Sequence, residues 1–283
     1  MFKLKNLYFM VLILTILSLV GGELIFAATL DTNSIGDSWI QISGGLKQIS
    51  VGSFGVWGVN SSDNIYFRNG LSATVPMGTG WQQVPGGLKH VSVGDYGVWG
   101  VNTSDNIYFR NGVSAENPIG TGWTQIAGGL KQICVGDYGV WGVNSSDNIY
   151  FRNGVCAENP MGTGWTQVPG GLKQISVNDL GVFGVNSNDQ IFFRTGVTKL
   201  NPMGTSWQQI PGGLKYISNG EYGVWGVNAN DGIFFRNGAS KLNPAGNEWV
   251  LVPGGLKQIS VGEYGVWGVN SLDNIYFRNG IVE

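Results

Sequence analysis

The chain has 283 residues, 42% hydrophobic and only 12% charged, with 47 glycines, 11 tryptophans and a formal charge of −2. So little charge in so apolar a chain excludes a disordered polymer, and the lack of a basic excess argues against a nucleic-acid partner. The glycine count points to many tight turns.

In chain order, the first element reads as a secretory signal. Lys3 and Lys5 precede the apolar run Leu7 to Val20, followed by Gly21-Gly22 and a small-residue end at Ala27-Ala28. The run is shorter than the ~20 residues of a membrane span, so a signal peptide over 1–27 is expected, with an uncleaved anchor as the alternative. No later stretch is long enough to cross a bilayer, and no membrane insertion is expected. The mature chain, 28–283, is read as a secreted, extracellular single domain.

That domain is one unit written six times. Trp39, Trp81, Trp123, Trp165, Trp207 and Trp249 recur every 42 residues. A second series, Trp57, Trp99, Trp141, Phe183, Trp225 and Trp267, follows each by 18, and six arginines from Arg68 to Arg278 keep the same step. A fixed period of this length means a repeat architecture. In the second unit "KHVSVG", "GVWGVN", "NIYFRNG" and "GWTQI" are four short β-rich runs, punctuated by Gly, Asn, Asp and Pro. Four strands per ~42 residues predict a propeller blade, hence an all-β, six-bladed β-propeller with four antiparallel strands per blade. Small residues such as Ser50, Ser92 and Cys134 suit an inner strand at the axis, which puts the tryptophan-led strand outermost. The N-terminal strand at Trp39 then completes the last blade and closes the ring, removing exposed sheet edges. Two β-trefoils would also have units of this size, but the step is unbroken from Trp123 to Trp165 to Trp207.

The repeated string W-x-Q-[IV]-x-G-G-L-K-Q-I-S-V-G-x-Y-G-V-W-G-V-N-x-x-D-N-I-Y-F-R-N-G resembles the tectonin β-propeller family, most closely its fish-egg-lectin branch. The resemblance extends over all six units. It implies a secreted lectin for N-acetylglucosamine-containing glycans or bacterial lipopolysaccharide, with a role in innate immunity.

Comparing the six units separates scaffold from candidate site: what never changes serves the blade, and what varies within a fixed frame is free to serve a ligand. Arg110 and its equivalents each follow an aspartate by five residues (Asp105/Arg110), which suggests an ion pair or ring stack between blades. The Trp99 series reads as packing, each ring lying over a neighbouring blade's glycine. Lys47, Lys89, Lys131, Lys173, Lys215 and Lys257 read either as solvated charge or as a salt-sensitive ring for an anion.

The turn after the inner strand varies. It carries an acid and a tyrosine in Asp95-Tyr96, Asp137-Tyr138, Glu221-Tyr222 and Glu263-Tyr264, but Ser53-Phe54 and Asp179-Leu180 elsewhere. Strand alternation puts it on the same face as the long loop after the third strand, with Glu116-Asn117 and Glu158-Asn159. Carboxylates and amides take sugar hydroxyls, and ring faces take the apolar C–H patches. Asp95, Tyr96, Glu116, Asn117, Asp137, Tyr138, Glu158, Asn159, Glu221, Tyr222, Glu263 and Tyr264 are therefore the candidate carbohydrate-binding residues. Plain turn chemistry selects the same residue types.

Cys134 and Cys156 fall in one unit, where other units hold hydroxyl pairs, and are a candidate disulfide in a secreted chain. Asn60, Asn102 and Asn144 head N-x-[ST] sequons, although the same asparagine opens a turn in every unit. His90 is the sole histidine, no catalytic triad or zinc spacing assembles, and the acids are repeat-locked copies. No enzyme, cofactor or metal is expected. The partners are glycans, including bacterial surface polysaccharide, and oligomerisation of the rings stays open. A propeller that scaffolds protein contacts is the alternative.

Overall fold

The computed structural model describes residues 35–281, so the expected signal peptide and its cleavage point lie outside the described residues. Twenty-four strands form six four-stranded antiparallel sheets, the blades of a six-bladed propeller. In blade two the inner strand is His90–Gly94, the second Gly97–Val101, the third Asn106–Asn111 and the outer Gly122–Gly129. Burial grades outward as the residue types require. Apolar and small residues fill the two inner strands, whereas Ile126 is the one buried residue of the outer strand.

The hairpin between second and third strands shows how sequence sets the turn. The Asn102 Oδ1 accepts from the N–H groups of Ser104 and Asn106, and Asp105 adopts φ +63°. That left-handed position is one aspartate tolerates better than most non-glycine residues. The turn thus accounts for the asparagine of the sequons.

Ring closure is as expected. Ser38–Gly45 pairs antiparallel with Asn274–Asn279, so the last blade runs Gln258–Gly262, Gly265–Val269, Asn274–Asn279 and then Ser38–Gly45.

Three belts hold blade to blade. Nearest the axis, a serine of each inner strand accepts from a backbone N–H of the next. Ser50 takes Val93, Ser92 takes Val135, Ser176 takes Asn219, Ser218 takes Val261 and Ser260 takes Val51, at 2.9–3.1 Å. Cys134 fills the remaining place, accepting from the Val177 N–H at 3.2 Å. One layer below, the Gln48 amide donates to the Val91 carbonyl and accepts from the Val91 N–H, and Gln132, Gln174 and Gln258 repeat the clamp. His90 and Tyr216 interrupt it.

The middle belt is the Trp99 series. Trp99 is fully buried with Leu130, Ile133, Val135 and Val140 of blade three and lies edge-on to Phe109 at 5.3 Å. The packing role is correct, but the glycine contact belongs to the third belt. There the Trp123 indole reaches back to donate to the Pro85 carbonyl of blade one at 2.9 Å. A Cβ on Gly86, whose φ is +129°, would meet that indole nitrogen at 2.9 Å.

Candidate functional site

Turns after the inner strands and loops after the third strands do meet on one face. The loop of each blade lies over the turn of the blade before it. Tyr96 packs with Val155 and Met161 of the blade-three loop, Tyr138 with Val197 and Met203 of blade four, and Tyr264 with Leu71 and Met77 of blade one. Tyr222 packs with Ile35 and Ile281, which stand where a loop stands elsewhere. The tyrosines are therefore half-buried between blades rather than freely exposed.

The acids also reach toward the axis. Asp95, Asp137, Asp179, Glu221 and Glu263 surround a mouth of about 350 Å³ together with Ser53 and Lys241. Burial, and then the neighbouring Asp95 and Asp179 carboxylates, push the Asp137 carboxyl above its ordinary range, with Lys199 opposing. A second cleft, about 630 Å³, brings Glu221, Tyr222, Glu263 and Tyr264 together with Ser72, Ala73 and Pro76 of blade one. Glu263 and Tyr264 line that cleft together, and the Tyr264 phenol is pushed up by burial and then by the Glu263 carboxylate.

Asn117 and Asn159 are held by their own loops. Their Nδ2 groups donate to Gly112 and Gly154 carbonyls at 3.2 and 3.3 Å, which braces the turn. Glu116 and Glu158 sit exposed at the loop tips. Lys199 and Lys241 were not among the expected site residues. Lys199 extends over the Tyr138 ring at 5.4 Å, 3.7 Å from an Asp137 carboxylate oxygen, and donates to the Asp137 carbonyl at 2.7 Å. Lys241 lies 3.7 Å from Asp179.

Several expectations are corrected by this geometry. Of its two expected contacts, Arg110 makes the ring stack and not the ion pair with Asp105, and the stack lies within its own blade rather than between blades. Its guanidinium lies 5.1 Å over Trp123, its partner across the outer hairpin, and its Nε donates to the Ile119 carbonyl at 2.7 Å, anchoring the long loop. The aspartates are taken instead by the lysines: Lys47 with Asp63, Lys89 with Asp105, and so through Lys257 with Asp273. Those six pairs lie within blades, so each lysine is held by its own aspartate rather than joining an anion-binding ring.

Cys134 and Cys156 are free thiols, not a disulfide. Cys134 faces blade four as a stand-in for serine, while the loop carrying Cys156 lies over blade two, so the two side chains address opposite neighbours. Burial pushes the Cys134 thiol up to about 11, whereas Cys156 is exposed. A thiol reagent should therefore modify one cysteine of the native protein, Cys156, and both in denaturant. Two fast equivalents from native protein would show that the half-buried Cys134 is not shielded.

Among the described residues no cluster of three or more His, Cys, Asp or Glu could hold a metal ion. A closed ring of six repeated four-stranded blades, with one face of varied loops, defines a β-propeller. The Tectonin domain model matches residues 22–129, 97–213 and 205–283, and the chain belongs to the tectonin family. No curated protein matches the sequence. Among solved structures, the chain is similar to the Cps50 (Swd1) β-propeller domain of Myceliophteria thermophila, at 6% identity and TM-score 0.52, covering 85% of this chain and 99% of that one. It is also similar to the Neurospora crassa Pan2 WD40 domain, at 10% identity and TM-score 0.51, covering 86% and 95%. At such identities the likeness shows the fold alone.

Proposed function

We propose that this protein is a secreted, multivalent lectin that reads N-acetylglucosamine-type glycans or bacterial lipopolysaccharide in innate defence. The observation that carries the reading is the repeated pairing of a carboxylate with a half-buried tyrosine on one face, beside a sugar-sized cleft at Glu263-Tyr264. Ring faces and acids in that arrangement suit a sugar's C–H patches and hydroxyls. Repetition of weak sites around a rigid ring raises avidity on a glycan-coated surface by ~10²–10⁴.

A glycan array with free-sugar competition tests it: a sugar-competable signal supports the lectin, and none at any density ends that reading. Replacing both Tyr96 and Tyr264 by alanine should lower array avidity at least about tenfold, because two sites are lost together. A second reading, protein docking, is favoured by Leu200 and Leu242, which are 100% and 99% exposed at loop tips on the same face. It predicts binding that free sugar does not displace.

A further inference from the structure

The acid–tyrosine pair of blade three, Asp137-Tyr138, already holds a ligand of its own chain. The ammonium of Lys199, arriving from blade four, covers the Tyr138 ring and faces the Asp137 carboxylate and carbonyl. An ammonium over a π-face with an anion at its side is a complete recognition unit for a cation. Its side chain remains 64% exposed, so the pose is not forced by burial. Lys241 takes the equivalent place on blade five, where Leu180 replaces the ring and leaves only Asp179 to meet it.

The loop position of Lys199 is occupied by alanine above two other pairs. Ala157 stands there in the blade-three loop over Asp95-Tyr96, and Ala73 in the blade-one loop over Glu263-Tyr264. Ala73 lines the 630 Å³ cleft with Glu263 and Tyr264, so the space a lysine would fill is open there. Asp95 also accepts from the Ser53 hydroxyl, which keeps its carboxylate oriented without neutralising it.

We infer that the Asp95-Tyr96 and Glu263-Tyr264 sites bind glycans through a free, protonated amine, the deacetylated amino sugar taking the place Lys199 takes over Tyr138. This rests on the lectin reading and, at these two sites, replaces its N-acetylated sugar by the deacetylated one. N-acetylation removes the charge, so the preference is for glucosamine over N-acetylglucosamine at these two sites. Lys199 keeps the Asp137-Tyr138 site closed by self-occupancy.

The test compares binding of a glucosamine hexamer and an N-acetylglucosamine hexamer to the full chain. Near pH ~6, where the amines are charged, the glucosamine hexamer should bind at least about tenfold tighter, and the preference should vanish near pH ~9. The double variant Ala73→Lys/Ala157→Lys should lose that preference by self-occupancy, and Lys199→Ala should add one binding site. Unchanged thermal melting of these surface variants keeps a folding defect from imitating the result. Equal or tighter binding of the N-acetylated hexamer overturns the inference while leaving the lectin reading in place. Binding of neither hexamer, nor of any sugar on the array, overturns both. A preference that survives Ala73→Lys/Ala157→Lys overturns the assignment to these sites.

Discussion

Trp99→Ala should lower the free energy of unfolding by about 3–5 kcal/mol, a loss read as a shift in the guanidinium midpoint. The ring is fully buried, and what surrounds it comes from two blades. On its own sheet it meets Phe109; across the seam it meets Leu130, Ile133 and Val135. Its Nε1 donates to the Tyr96 carbonyl at 3.2 Å, so the indole also pins the turn that carries Asp95 and Tyr96. Removing it opens a cavity that inner strands locked by the serine belt cannot collapse to fill. Phe183 holds the same slot in blade four, fully buried and beside Phe193, so Trp99→Phe should cost far less than Trp99→Ala. Tyr96→Ala removes a half-buried ring and should cost about 1 kcal/mol. Losses of similar size at Trp99 and Tyr96 would mean that the tyrosine is a packing residue first.

The ring, the blade count, the strand order and the closure were legible because six copies of one unit expose what a blade needs. The partners of repeated charges were less so, since they follow from strand register rather than from spacing. Arg110 sits five residues from Asp105, yet it meets Trp123 across a hairpin with a ten-residue loop. Lys89 meets Asp105 because the inner strand starts where the turn of the next hairpin ends. Both pairings could have been counted out from the antiparallel ladder.

The site was legible only to the level of a face. Comparing units singled out the acid–tyrosine turn, because it varies where the frame does not. What roofs each turn is a loop from the following blade, and Lys199 comes to Asp137 from 62 residues away. No local pattern encodes that overlap, which depends on how neighbouring blades stack. The same blindness explains the cysteines: sharing a unit in sequence placed them at contacts with different blades in space.

His90→Gln should stabilise the ring and remove much of its sensitivity to mild acid. His90 interrupts the glutamine clamp of the inner belt, and neither of its ring nitrogens meets a hydrogen-bonding partner. It stands at a channel cavity of only about 40 Å³, among Gln48, Gln132, Cys134 and Tyr216. Burial, reinforced by the Lys89 charge, lowers the imidazole from its ordinary 6.5 to about 3. The folded ring therefore holds His90 neutral while the unfolded chain protonates it. Above about pH 6.5 this costs no stability. As pH falls from 6.5 toward 3 the unfolded state takes up the proton, and stability drops by about 1.4 kcal/mol per pH unit, or about 2 kcal/mol by pH ~5. Glutamine carries no titrating proton, and Gln132 shows the geometry it would adopt, clasping the Ile175 carbonyl and N–H of the next blade at 3.0 and 3.1 Å. Satisfying that seam should add about 1–3 kcal/mol at pH 7. Urea titrations of both proteins across pH 7 to 4 would measure it: the two stabilities should diverge as pH falls, and parallel curves would show that His90 gains its proton without cost in the folded ring.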